Sequence, residues 1–227
     1  MSRHHFFYPF TYANCEVPNN SDPSILDQIK DIMDIGVPLD ADGNYPQQMA
    51  VSDLKTASCF TLDQAITITG RTYSNGRIFP DTFTFTVAPQ PANQGLATVG
   101  LGDQDDTLYV VGHCVSGQDY MSAPNLKENC TDLQLFALLQ SIPPHWPGKL
   151  KIYGCNTASS GWWGATQSFA KRLHTRLRGA GYVCPIYGYT HSVADHKTSY
   201  TNPTTGIMEM RKAVGGVRSH THLQLIQ

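Results

Sequence analysis

No apolar run in this chain approaches the ~20 residues that a membrane-spanning helix needs. The first ten residues, Met1-Ser2-Arg3-His4-His5-Phe6-Phe7-Tyr8-Pro9-Phe10, are aromatic but too short and too interrupted for the apolar core of a secretory leader. A soluble protein is therefore expected, cytoplasmic or delivered by a non-classical secretion route. Charge is scarce as well: 16 Lys and Arg stand against 18 Asp and Glu, a net −2. That balance gives no electrostatic ground for nucleic acid or an anionic membrane surface as partner. The six cysteines (Cys15, Cys59, Cys114, Cys130, Cys155 and Cys184) show no CxxC or CxH spacing, which argues against structural zinc. No metal or other cofactor is expected. Cys114, Cys155 and Cys184 each fall in or beside an expected strand, the usual setting of buried thiols, so a reducing compartment is favoured over three disulfides. No internal repeat or low-complexity tract is visible.

What is present suits one α/β domain with an extension: 227 residues, 41% of them apolar. Residues 1–64 read as an N-terminal arm and helical extension packed on a body formed by residues 65–227. Within that extension, residues 1–23 lack any period. Ser24 is placed to cap a helix carrying Ile25, Ile29, Ile32 and Met33 on one face. Asp40-Ala41-Asp42-Gly43-Asn44 opens like a calcium loop, but Val51 stands where the last acidic ligand belongs, so a turn is expected. From Ala65 the period becomes two. Ile66–Thr69 and Thr82–Val87 alternate as half-buried strands do, and Asn75-Gly76 between them predicts a hairpin.

The second half alternates strand and helix. Strand 108–112 is followed by a loop and by a helix over 131–140, capped by Thr131 or Asp132, with Leu133, Phe136, Ala137 and Leu139 as its stripe. Strand 150–153, a helix over 165–179 with Phe169, Ala170, Leu173 and Leu177 inward, and strand 182–189 follow. Such alternation predicts a mostly parallel central sheet with flanking helices. Two further strands, 207–211 and 222–226, are expected across Gly215-Gly216.

Two of these strands end on chemistry. Val110-Val111-Gly112-His113 ends on a histidine and Ile152-Tyr153-Gly154-Cys155 on a cysteine. Ligands of open α/β sheets bind at such carboxyl ends, and strands joined by one crossover tend to lie side by side. A thiolate with a neighbouring base needs only oxyanion donors to act as a nucleophilic catalyst. The N–H groups of the turn after Cys155, expected to open into a helix, are candidates for that task.

These two motifs resemble the caspase-like (clan CD) cysteine peptidases, with the Gly-Cys form most similar to bacterial toxin self-processing and effector-type members. The segments Phe169–Tyr182 and Ile186–Thr190 resemble the helix and strand that follow the nucleophile there, so the likeness covers residues 105–195. It implies a three-layer caspase-like sandwich and cysteine endopeptidase activity on a protein or peptide substrate. It further implies His113 as base, Cys155 as nucleophile, and an oxyanion hole from the backbone of Cys155 and of Cys114, where the family usually has glycine. Caspases proper carry Gln-Ala-Cys where this chain has Tyr153-Gly154-Cys155, so aspartate specificity is not implied. The toxin domains bind a phosphorylated inositol. The one basic cluster available here, Lys171, Arg172, Arg176 and Arg178, reads as a solvated helix face.

Asp119, Tyr120, Tyr153, Trp162, Trp163, His191 and Asp195 are candidate substrate-binding residues, with His196 beside them. Two other readings stay open. Gly112-His113-Cys114-Val115-Ser116 approximates the nucleophile elbow of α/β-hydrolases, with Cys114 as nucleophile and Asp195 with His196 or His220 as its partners. The other is a non-catalytic binding module on the same fold, against which the presence of both His113 and Cys155 argues.

Overall fold

The computed structural model describes residues 3–11, 66–72, 78–87, 96, 101–123, 125–191, 197–201, 204, 206, 208–214, 217–218 and 223–227. The expected helix after Ser24, the turn at 40–44, Asp195, His196 and His220 lie outside them. The described elements run β1 (Arg3–Tyr8), β2 (Ile66–Thr72), β3 (Ile78–Val87), β4 (Asp106–Val111), β5 (Tyr120–Ser122), β6 (Asn129–Thr131), α1 (Asp132–Leu139), β7 (Lys149–Tyr153), a 3₁₀ turn (Trp162–Gly164) and α2 (Phe169–Gly179). They continue as β8 (Ile186–Tyr189), β9 (Lys197–Thr201), β10 (Met208–Val214), β11 (Val217–Arg218) and β12 (Leu223–Leu225).

Seven strands form one mixed sheet in the order β12-β8-β7-β4-β1-β3-β2. The four inner pairings, β8–β7, β7–β4, β4–β1 and β1–β3, are parallel. Only the outermost strands, β12 and β2, run antiparallel to their neighbours. An α/β fold with a mostly parallel sheet is therefore present. Strands β9–β11 form a separate antiparallel sheet, and β5 with β6 a hairpin.

Strand β1 corrects the expectation of an irregular arm. It lies between β3 and β4, in register His5↔Leu108 and Phe7↔Val110. Its run of apolar and aromatic residues shows no alternation because a central parallel strand is covered on both faces. Phe6, Phe7 and Tyr8 are all buried.

Leu108, Val110, Leu150, Ile152 and Ile186 turn to one face of the sheet and belong to the core. Each such side chain contributes roughly 1.5–3 kcal/mol when fully buried. Helix α2 lies on that face: a Cβ at Gly188 would stand 3.0 Å from the Ala170 Cβ. The alternate positions carry an aromatic row across the other face. Phe6 stacks on Tyr109 at 4.7 Å, Tyr109 meets Tyr153 edge-on at 6.2 Å, and Tyr153 meets Tyr189 at 5.5 Å.

Helix α2 buries the expected stripe, Phe169, Ala170, Leu173 and Leu177. It begins at Phe169 rather than near 165, because Ser168 caps it by accepting the Lys171 N–H at 3.2 Å. In α1, Thr131 and Gln134 form a reciprocal capping box. The inward stripe of α1 differs from the expected one: Asp132, Leu135 and Leu139 are buried, while Leu133 is exposed. Burial of Asp132 follows from its ion pair with Arg176 of α2, which fastens the two helices. The expected strand 182–189 shortens to Ile186–Tyr189. Arg178 donates instead to the carbonyls of Tyr182 and Cys184, and Pro185 interrupts the ladder.

Candidate active site

His113 and Cys155 emerge from neighbouring parallel strands. The ladder runs Leu108↔Leu150, Val110↔Ile152, Val111↔Tyr153. It continues one step further, where the Gly112 N–H donates to the Tyr153 carbonyl at 3.2 Å. His113 and Cys155 thus stand at corresponding positions just past two glycines. Gly154 is required there. A Cβ on it would lie 2.4 Å from the Gly112 carbonyl oxygen, so a larger residue would force the strand ends apart.

The His113 backbone is clamped from the other side. Its N–H donates to the Ser122 carbonyl at 2.9 Å, and its own carbonyl accepts the Ser122 N–H at 2.8 Å. Through this bridge the β5–β6 hairpin holds the histidine backbone extended while its side chain is exposed. The hairpin is itself anchored to the segment after β1: Glu128 accepts from the Thr11 N–H and hydroxyl, each at 2.9 Å.

Half-buried Cys155 begins a tight turn in which Asn156 takes a left-handed conformation, φ 54°. The expectation of open donors along this turn is corrected. Asn156 N–H donates to the His191 carbonyl at 3.1 Å, Ala158 N–H to Tyr189 at 2.8 Å, and Ser159 N–H to Asn156 at 2.9 Å. Nor does a helix follow directly. The start of α2 reaches the turn, but its Ala170 N–H is engaged by the Thr157 carbonyl at 2.9 Å.

Two loops flank this edge. The turn after Cys114 and the stretch after Ala158 touch backbone to backbone: Gly117 N–H donates to the Ser159 carbonyl at 3.1 Å. A Cβ on Gly117 would meet the Gly161 Cα at 2.4 Å. On the β8 side, the Ser159 hydroxyl donates to the Thr190 carbonyl at 2.7 Å. Sequence reasoning did not single out Ser122, Thr157 or Ser159. Each acts through a partner remote in sequence, and a lone Ser or Thr in a turn carries no local signal.

The other candidates divide by location. Asp119 and Tyr120 lie at the foot of the hairpin. The Asp119 carbonyl accepts the Asp132 N–H at 2.9 Å, and the Tyr120 hydroxyl the Gln118 amide at 3.0 Å. Tyr153 turns into the aromatic row on the sheet face rather than toward the strand-end edge. Trp162 is 82% exposed in the 3₁₀ turn that also contains Trp163. His191 is exposed at the end of β8, its carbonyl on the Asn156 N–H and its Nδ1 3.0 Å from the Thr190 hydroxyl.

Electrostatics separate the two rival thiols. Burial, reinforced by the neighbouring Cys155, pushes the Cys114 thiol up to about 12. Cys114 is 5% exposed, so it stays protonated and out of reach. The strand-turn-helix of a nucleophile elbow is also absent around it, because β4 leads into a turn and then strand β5. The basic cluster is dispersed in structural contacts. Lys171 reaches the Gln227 carbonyl, Arg172 the Gln167 carbonyl, Arg176 the Asp132 carboxylate and Arg178 the loop before β8. Among the described residues no group of three or more His, Cys, Asp or Glu could hold a metal ion. None of their helices is long and apolar enough to cross a membrane.

Compared with family models, curated proteins and solved structures, the chain matches none.

Proposed function

We propose that the protein is a cysteine endopeptidase on a caspase-like three-layer sandwich, with Cys155 as nucleophile and His113 as general base. The observation that carries this reading is the register of β4 and β7, which sets the two residues at matching strand ends. His113 takes the Cys155 proton as the sulfur attacks the carbonyl carbon of the scissile peptide bond. The N–H groups of Cys155 and Cys114 receive the oxyanion. Collapse of the tetrahedral intermediate breaks the C–N bond, and His113 returns the proton to the leaving amine. Water, deprotonated by the same imidazole, then attacks the thioester and releases the acyl half with Cys155 restored.

The substrate is a protein or peptide. Exposed Trp162 and Val115, on the two touching loops, and His191, beside the nucleophile turn, would contact it. Labelling with an acyloxymethyl-ketone probe in wild type, Cys155→Ala, Cys114→Ala and His113→Ala tests the reading. The expected result is selective labelling that vanishes in Cys155→Ala, falls strongly in His113→Ala and survives in Cys114→Ala. Labelling that survives Cys155→Ala but vanishes in Cys114→Ala would overturn it. Absence of selective labelling in the wild type would favour a binding module.

A further inference from the structure

Three adjacent strands, β8, β7 and β4, run parallel and end beside one another. The proposed chemistry uses residues from the last two only. The end of β8 leads into His191, whose register with Cys155 follows from two backbone bonds. Leu150 N–H donates to the Pro185 carbonyl at 2.9 Å, and Asn156 N–H to the His191 carbonyl at 3.1 Å. Both bonds join the two segments at the same offset. The pairing Leu150↔Ile186 and Lys151↔Tyr187, carried forward, therefore sets His191 opposite Cys155. On the other flank, Val111↔Tyr153 carried forward sets His113 opposite Cys155. With the Asn156–His191 bond made, covalent geometry keeps the Cα atoms of Cys155 and His191 within ~8 Å.

Alternation assigns the face. Tyr109, Tyr153 and Tyr189 of the same three strands meet on the sheet face away from α2, Tyr153 lying 6.2 Å from Tyr109 and 5.5 Å from Tyr189. Cys155 and His191 each stand two residues beyond a ring of that row. His113 stands two beyond Val111, the partner of Tyr153. A period of two thus carries all three toward one face.

The turn after Cys155 also holds the backbone around His191. Asn156 N–H engages the His191 carbonyl, and the Ser159 hydroxyl donates to the Thr190 carbonyl at 2.7 Å. The imidazole itself is exposed, with its Nδ1 3.0 Å from the Thr190 hydroxyl. An imidazole with one nitrogen engaged in this way presents the other for chemistry.

We infer that His191 is a second catalytic imidazole, which donates a hydrogen bond to the Cys155 sulfur from the side opposite His113. The inference rests on the proposed peptidase, in which that sulfur becomes a thiolate. The Thr190 hydroxyl donates to Nδ1, so the ring proton sits on Nε2. Nε2–H donates to the sulfur as His113 takes the thiol proton, and His191 itself gives up no proton. A hydrogen bond to an ionised partner is roughly twice as strong as one between neutral groups. The bond therefore strengthens as the thiolate forms and weakens once the sulfur is acylated. Catalytic hydrogen bonds of this kind tighten when substrate closes the site.

Mapped iodoacetamide alkylation of Cys155 in the full native chain tests this without a substrate. His191→Phe keeps a ring but no donor, His191→Gln keeps a donor, and Thr190→Val removes the orienting hydroxyl. His113→Ala is measured beside them. Cys155 is expected to react about tenfold more slowly in His191→Phe, the size of one hydrogen bond to a charged group. His191→Gln should restore much of the rate, and Thr190→Val should show a smaller loss. Because His191 is exposed, urea midpoints of its two variants should match the wild type. Equal losses in the Phe and Gln variants, or a loss that tracks a lower midpoint, would mark a packing role and overturn the inference. Wild-type rates in both, beside a slow His113→Ala, would overturn it and leave the peptidase reading standing. A slow His191→Phe beside a wild-type rate in His113→Ala would sustain it and count against His113 as the base.

Discussion

The Thr157 hydroxyl accepts the backbone N–H of Tyr189 at 2.9 Å while donating to the Ile152 carbonyl at 2.9 Å. Thr157 is completely buried two residues after Cys155, and its own carbonyl takes the Ala170 N–H. The Thr157 side chain thus ties β7 to β8 beneath the turn after Cys155, and its backbone carbonyl holds the start of α2. Thr157→Val keeps the shape but strands two backbone groups, each costing ~1–3 kcal/mol when buried without a partner. Chemical denaturation is expected to show a loss of that order, with Thr157→Ser recovering most of it. A valine variant as stable as wild type would mean that the bridge contributes nothing.

Gly154 sets the separation of the two strand ends that carry His113 and Cys155. Gly154→Ala places a methyl group 2.4 Å from the Gly112 carbonyl oxygen, and backbone cannot swing aside as a flexible side chain can. The expected outcome is a destabilisation of about 1–3 kcal/mol, typical of overpacking, together with reduced probe labelling of Cys155. Gly179→Ala, at the end of α2 with nothing within 4 Å, is the control. It should be neutral or stabilising by up to ~1 kcal/mol, since Ala outranks Gly in a helix. Equal effects at the two positions would contradict the close approach.

Thiol reactivity should rank by environment. Burial raises Cys114 and Cys130 to about 12 and also raises Cys184, whereas Cys155 is only half-buried. Under native conditions iodoacetamide is expected to modify Cys155 well ahead of those three, and denaturant should level the rates. Mapped alkylation over time measures this. Native Cys114 reacting as fast as Cys155 would revive it as the nucleophile.

Lys151 should write a pH signature into stability. It donates to the Tyr109 hydroxyl at 3.4 Å, and its ammonium lies 5.1 Å from that ring's centroid. Burial first, and Lys149 second, nevertheless lower it from 10.5 to about 8. Between those values the unfolded chain binds more protons at Lys151 than the folded one, so its contribution to stability rises with pH. Desolvation raises Tyr109, Cys114 and Cys130 to about 12, and they pull the other way above their usual values. The comparison is therefore between wild type and Lys151→Met. Urea midpoints should show wild type gaining on the variant as pH increases from about 8 to 10.5. No change in their difference across that window would refute the lowered lysine.

Much of the second half was legible because its signals are local. The Thr131 and Ser168 caps, the Phe169–Leu177 stripe and the apolar runs of β4 and β7 depend on neighbours a few residues away. Strand β1 was misread for the opposite reason: doubly covered strands lose the alternation that marks a half-exposed one. The inward face of α1 was likewise decided by a partner, because the ion pair with Arg176 makes the burial of Asp132 tolerable.

The same division holds at the site. The residue types and their glycines, Gly112-His113 and Gly154-Cys155, were plain in the sequence, since strand ends and turn residues are written locally. Which strands adjoin, how the His113 backbone is held by Ser122, and which turn N–H groups are engaged were decided by the tertiary structure. Those outcomes depend on hydrogen bonds between segments far apart in the chain, and no local pattern encodes them.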